Sequence, residues 1–565
     1  MSHLENDMPI APRDPAVVMR LARMGSFHQS RLSFMRVLLR RMTSENWRFE
    51  QRQFDIDACG VGRAVYCAHG PDRSYSLVAF ANDLPPEKRS DRVIATEWDA
   101  TFTLFDGIPT QADIDRLAGN VPKQEAGRIS EKELSLSRAN RSVRLWDYVV
   151  EALSQGRQPD ATKVDDVGYL MRTTAVYGSG KFGAADREMI ATRPEFQAPF
   201  QVEMLSVFLT RGFVMDLVEH MARLRAPDTA VPLTPALRRR FGIGNSTGLG
   251  MAPFLITHPV LINNWIAAKE WALARVRSLP TATENDVQTF RQFCTRAVIH
   301  ADMWTSQHPV QIEKLTALRA DMAALQAHLD EADLTTDMPW NRLWLWAKDT
   351  LSLEGQEQLV SLMLEPYGAL VDGLSDCMYA DEQESWRIDG AMQTTDLKAH
   401  IEEIYDWALD IDWDTKDANA RVWYVSEEKL EPRIGERFEE PIESYEQPLC
   451  PARDVVRMYH DMKRSNDALV AEFLLSHPQH RHAARRAQIA ARYPYAEIRD
   501  NTIDAAMLPI DLLRAKLSFF GACQFDPRSD RWVRINMFLH APFPHELTPE
   551  NAEGWTYPPL PRAAE

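Results

Sequence analysis

A mainly α protein, α+β overall, is the fold class the sequence predicts: a central helical bundle with a small antiparallel sheet domain. The N-terminal region supplies that sheet, and C-terminal strands can add to it. Two observations carry this reading. Apolar residues recur at three-and-four spacing through most of the stretch from Ser135 to Asp376. Short β-branched or aromatic segments, separated by Gly, Pro, Asp and Asn, crowd between Arg63 and Phe105. The chain has 565 residues, too many for one hydrophobic core, so several packed units are expected.

In chain order, residues 1–50 read as an N-terminal helical arm, with Val18, Leu21, Met24, Leu32, Met35 and Leu39 at helical spacing. Residues 51–135 read as the small α+β domain, with strands at 63–67, 74–80, 92–96 and 101–105. The central helical domain, 136–376, holds helices at 143–153, 203–224, 260–276, 286–304 and 310–329, and its connections include glycine-rich loops. In the fourth of these, Val287, Phe290, Cys294, Ala297, Ala301 and Trp304 form one apolar stripe. An acidic α+β segment follows at 377–450, then helices and a strand at 451–541, and a disordered tail, polar and proline-rich, at 542–565.

Composition excludes several classes. A hydrophobic fraction of 45% and a charged fraction of 26% describe a folded chain, not a disordered one. The formal net charge of −17 argues against a nucleic-acid partner, because phosphate binding needs a basic surface. Six scattered cysteines without a Cys-x-x-Cys pair fit a reducing compartment, and no secretory leader or membrane-length apolar run is visible. A cytoplasmic location without a membrane partner is the expectation, and a homo-oligomer is compatible with it.

Two glycine-rich segments could carry chemistry. The first contains Gly178-Ser-Gly180-Lys181-Phe-Gly183, flanked upstream by Arg172. Its spacing matches a dinucleotide-binding fingerprint, but the residues before it are polar for a central parallel strand and no βαβαβ alternation surrounds it. A looser role remains: exposed backbone N–H groups, with Arg172 and Lys181, can hold a carboxylate or phosphate. The second runs Gly242-Ile-Gly244-Asn245-Ser246-Thr247-Gly248-Leu-Gly250 and leads directly into an apolar stretch, so it reads as a loop against the core. It spells Gly-x-Ser-x-Gly, yet neither flank suits a nucleophile elbow. Nor does it reproduce the Ala-Ser-Gly of histidine and phenylalanine ammonia-lyases, and no family is assigned.

Polar groups interrupt the apolar central helices. Arg211, Asp216, Glu219 and His220 break the otherwise apolar 203–224 segment, with Asp216 and His220 spaced to pair. His300 lies on the apolar side of its own helix. No His-x-x-x-His and no Glu-x-x-His occurs, so no metal site is expected. The leading expectation is therefore an enzyme acting on a small anionic metabolite bound between central helices. Its reaction would be a lyase, isomerase or transferase step with no assigned cofactor. Arg172, Lys181, Arg211, Asn245, Ser246, Thr247 and Gly248 would hold the substrate, and His220, His300 and Asp216 would move protons. Two alternatives stand beside it. One is a nucleotide- or cofactor-binding enzyme using Gly178, Gly180 and Gly183. The other is a non-catalytic assembly protein whose acidic 381–447 segment meets a basic partner.

Overall fold

The computed structural model describes residues 9–85, 97–120, 129–173, 190, 192–248, 254–256, 258–305, 309–380, 387–415, 421–425, 431–435, 450–499, 514–521, 524–527 and 532–556. The expected N-terminal arm is helical only in part: a turn at Pro15–Val18, a 3-10 turn at Leu21–Arg23, and helix α1 at Phe34–Ser44. Between them residues 25–33 run non-helically yet buried. Ser26, Ser30 and Ser33 compete for local backbone and side-chain hydrogen bonds there, which disfavours a helix.

The expected small antiparallel sheet is overturned. The sheet is large and mixed, with nine strands in the order β1-β2-β3-β4-β5-β6-β7-β11-β10. Its members are β1 (Arg48–Ile56), β2 (Gly62–His69), β3 (Ser74–Ala81), β4 (Ala100–Asp106), β5 (Glu133–Arg141), β6 (Tyr169–Thr173), β7 (Gly242–Gly248), β10 (Gln524–Pro527) and β11 (Trp532–Met537). A separate hairpin pairs β8 (Arg421–Val425) with β9 (Glu431–Gly435). The expected strand at 92–96 lies outside the described residues. Pairing is antiparallel throughout the large sheet except between β6 and β7, which run parallel.

The strands missing from the sequence reading have a physical reason. β1 is an edge strand with alternating charged residues and a register shift between Gln51 and Gln53, both devices that blunt an open edge. β7 is built from glycine and small polar residues because its neighbours approach closely. A Cβ on Gly244 would lie 2.7 Å from the Tyr169 ring, and one on Gly242 would lie 2.5 Å from the Met537 carbonyl oxygen. What reads as a loop is thus a strand whose glycines admit the flanking strands.

Helix α2 (Gln111–Ala118) covers one face of the sheet with Ile114 and Leu117, over Val65, Cys67, Val78, Phe80 and Phe105. The other face carries α3 (Gln201–Arg225), the crossover from β6 to β7. Phe208 of α3 meets Phe49 and Phe538, and Phe213 meets Tyr66 and Phe102. Packing on several sides explains why α3 is apolar almost all round.

A helical body follows: α4 (Pro259–Arg277), α5 (Glu284–Met303), α6 (Pro309–Glu331), α7 (Pro339–Thr350) and α8 (Leu353–Met363). Asp321 of α6 accepts from the Ser352 and Gly355 backbone N–H groups at 3.1 Å, capping α8. A separate apolar cluster gathers α9 (Thr394–Ile404), α10 (Pro451–Arg464) and α11 (Arg481–Arg492) around Leu397, Ile401, Val455 and Met458. The described part of the expected tail is ordered: α12 (Pro549–Gly554) lies against α1, and Trp555 is buried.

Candidate functional site

Parallel pairing aims β6 and β7 at the same end of the sheet. In open sheets the crevice beyond the carboxyl ends of parallel strands is where ligands bind, because both chains must leave the sheet there. At this end the buried Asn245 of β7 donates through Nδ2 to the Thr173 carbonyl of β6 at 2.8 Å. Arg172, also buried, stands in register with Gly244. Lys516 completes the group: its Nζ donates to Asn245 Oδ1 at 2.9 Å, and its side chain is fully buried. Burial disfavours the ammonium and pushes the Lys516 pKa well below the ordinary lysine value. The lysine opens a π-helical turn, Lys516–Phe520, an irregularity that recurs at functional sites.

The opposite side of the 514–518 segment contacts the buried N-terminal run. Ser518 Oγ accepts from the Ser26 backbone N–H at 2.9 Å, and Ser518 O accepts from the Ser30 N–H at 3.1 Å. Arg514 pairs with Glu354 of α8 and stands over the Phe27 ring. A Cβ on Gly25 would come within 2.2 Å of the Arg514 carbonyl oxygen, so the close approach requires glycine.

Next to this contact, His28 and His300 meet edge to face, 5.5 Å between centroids. Trp304 donates its indole N–H to His300 Nε2 at 2.9 Å, which makes that nitrogen an acceptor. Burial holds the His28 pKa well below the usual histidine range, and its neighbours His300, Arg36 and Arg296 lower it further. A small hollow of about 10 Å³, room for one water, is lined here by Phe27, His300, Trp304, Leu318, Met322 and Gln358.

The residues expected to form one site are placed as follows. Arg172 and Asn245 lie on neighbouring strands but on opposite faces of the sheet, Arg172 in register with Gly244 and Asn245 bonded to the Thr173 carbonyl. Ser246, Thr247 and Gly248 continue β7, opposite Arg534, Val533 and Trp532 of β11. His300 lines the separate hollow. Arg211 donates to the Phe241 carbonyl at 2.6 Å and the Ala541 carbonyl at 2.8 Å, and lies over the Phe543 ring. Asp216 accepts from Tyr66 at 2.7 Å and pairs with Arg238 at 3.1 Å, while His220 faces the Ile56 carbonyl at 3.0 Å. Asp216 and His220 thus meet different partners on the sheet side of α3. Gly178, Gly180, Lys181 and Gly183 lie outside the described residues.

Lys516, His28, Arg514 and Gln358 did not stand out in the sequence. Lys516 carried a usable signal, since a charge inside Leu-Leu-Arg-Ala-Lys-Leu-Ser-Phe-Phe interrupts an apolar segment as Arg211 does in α3. The fold and these side chains define a mixed α+β protein with a parallel crossover inside an otherwise antiparallel sheet, and a buried amine at the crossover's end. No family model, no curated protein and no solved structure matches the chain.

Proposed function

We propose that the chain is an enzyme acting on a small anionic metabolite, a carboxylate or a phosphate, bound where β6 and β7 end beside Lys516. Lys516 meets the anion and exchanges a proton with it, and Asn245 positions the lysine. The observation that carries this reading is the buried Lys516–Asn245 contact beside the only parallel strand pair of the described sheet, β6 with β7. Burial supports the proton role. A lysine whose ammonium is disfavoured by burial gives up its proton more readily than an exposed one, and the free amine can take a proton from a bound acid.

The coupling has a sign. An anion stabilises the ammonium that burial disfavours, so binding takes up a proton and strengthens as pH falls toward the lysine's lowered pKa. Thermal unfolding against inorganic phosphate, pyrophosphate and small mono- and dicarboxylates, on either side of neutral pH, tests it. At least one anion is expected to raise the melting temperature, more so on the acid side, and Lys516→Met to remove the shift. A panel in which no anion stabilises the wild type rejects the reading. Nucleotides in the same panel test the alternative in which Gly178, Gly180 and Gly183 cradle a diphosphate. The position of that run, directly after a strand parallel to β7, is what supports the alternative.

A further inference from the structure

On the opposite part of the sheet, three metal-ligating side chains of different chemistry converge across two strands. In the register of β1 and β2, Glu50 stands directly opposite Cys67, and His69 is two residues further along β2, on the same face as Cys67. One donor atom from each, a carboxylate oxygen, the thiol sulfur and a ring nitrogen, lies within 4.8 Å of the other two. The next strand supports them. Ser74 and Ser76 of β3 are the register partners of His69 and Cys67. Ser74 Oγ bonds His69 Nδ1 at 2.8 Å, which leaves Nε2 as the nitrogen facing Glu50, 3.5 Å from its Oε1. Ser76 Oγ lies 3.3 Å from Cys67 Sγ.

We propose that Glu50, Cys67 and His69 form a binding site for a borderline-soft divalent cation, Zn²⁺ in the first place, with a fourth coordination position open to solvent. The donor set selects the ion: thiolate, imidazole and carboxylate together suit zinc and not the all-oxygen preference of magnesium or calcium. Tetrahedral zinc with bonds of about 2.0–2.3 Å spaces its ligands about 3.3–3.8 Å apart, so the cluster needs only a small contraction. Glu50 is the exposed member and can supply it by changing rotamer. The thiolate and carboxylate balance the ion's double charge.

Outer contacts follow the same logic. A ligating histidine is oriented by a bond to its other nitrogen, the role Ser74 has here. Cys67 is buried under α2 with Val65 and Phe105, while His69 and Glu50 face outward, so an ion would have protein below and water above. Arg52 lies 3.6 Å from Glu50, and both are exposed, so that pair is a weak competitor for the carboxylate. Uptake replaces the thiol proton by the metal and releases that proton to solvent. Because the thiol gives up its proton when the metal binds, affinity rises with pH.

The test uses the full chain stripped with a chelator, titrated with Zn²⁺ and with Co²⁺ as a coloured substitute. One equivalent is expected, with a thiolate-to-Co²⁺ charge-transfer absorption that disappears in Cys67→Ser and persists in Cys59→Ser. His69→Gln and Glu50→Gln, at partly or fully exposed positions, should each weaken Zn²⁺ binding by at least about tenfold. They decide the matter even if Cys67→Ser does not fold. The proposal is overturned if the wild type takes up no Co²⁺. It is equally overturned if the thiolate band survives in Cys67→Ser, or if both His69→Gln and Glu50→Gln bind Zn²⁺ as the wild type does.

Discussion

Helix α8 and the end of β6 and β7 both bury polar side chains in quantity, but they match them differently. On α8 and the residues just beyond it, carboxylates meet guanidinium groups. Arg36 and Glu365, both fully buried, form two bonds of 2.6 and 2.7 Å. Arg13 grips Glu270 at 2.7 Å and Glu357 at 2.8 Å, and Lys269 reaches the same Glu357 at 3.3 Å. Glu553, from the C-terminal helix α12, joins Arg36 at 3.1 Å and so ties the end of the chain to its beginning. At the strand ends, Lys516 meets the amide oxygen of Asn245. Charge neutralised by opposite charge in bidentate geometry holds segments together. At the strand ends the described contact is of another kind, an amine held by an amide beside two parallel strands.

That contrast can be broken by experiment. The largest effect is expected from Glu365→Ala, which leaves the buried Arg36 guanidinium with only Glu553 among these carboxylates. Breaking such a pair from one side costs about 3–5 kcal/mol, readable in urea denaturation. A gentler probe of the same region is acid. Burial pushes the Glu357 carboxyl up, but Arg13, Lys269 and Arg23 pull it further down, to about 2. A depressed carboxylate contributes its stability above the unfolded pKa and loses it as pH falls through the folded one. Stability on the order of 3 kcal/mol should therefore fade between about pH 4.3 and pH 2, and Glu357→Gln should remove that part of the acid transition. The smallest effect is expected from Lys516→Met, which removes a buried amine but also the donor to Asn245 Oδ1, so stability should change by only about 1 kcal/mol while anion-induced stabilisation is abolished. If Lys516→Met destabilises the protein as strongly as Glu365→Ala, the two regions are alike and the contrast fails.

How much of this was legible follows the range of the interactions. The helical stripe Val287, Phe290, Cys294, Ala297 and Ala301 is set by local spacing, and all five residues are buried. The Thr283 cap with Asp286 is equally local. The sheet was underestimated where long-range contact outweighs propensity: β6 has only five residues, and β7 is a strand because Tyr169 and Met537 press against its glycines. At the candidate site, Arg172 and Asn245 are visible beside the glycine runs, but Lys516 reaches Asn245 across 271 positions. The α8 network is hidden for the same reason, since Arg13 and Glu357 are 344 residues apart. Glu50, Cys67 and His69 share no linear motif. Only the β1–β2 register brings them opposite one another.

The central claim is that an anion seated at the ends of β6 and β7 shares its charge with Lys516. Titration calorimetry of the stabilising anion, at mildly alkaline pH in two buffers of different ionisation enthalpy, counts the protons exchanged on binding. Net proton uptake is expected for the wild type and none for Lys516→Met. Equal proton counts in the two proteins, or no uptake by the wild type, would contradict that claim.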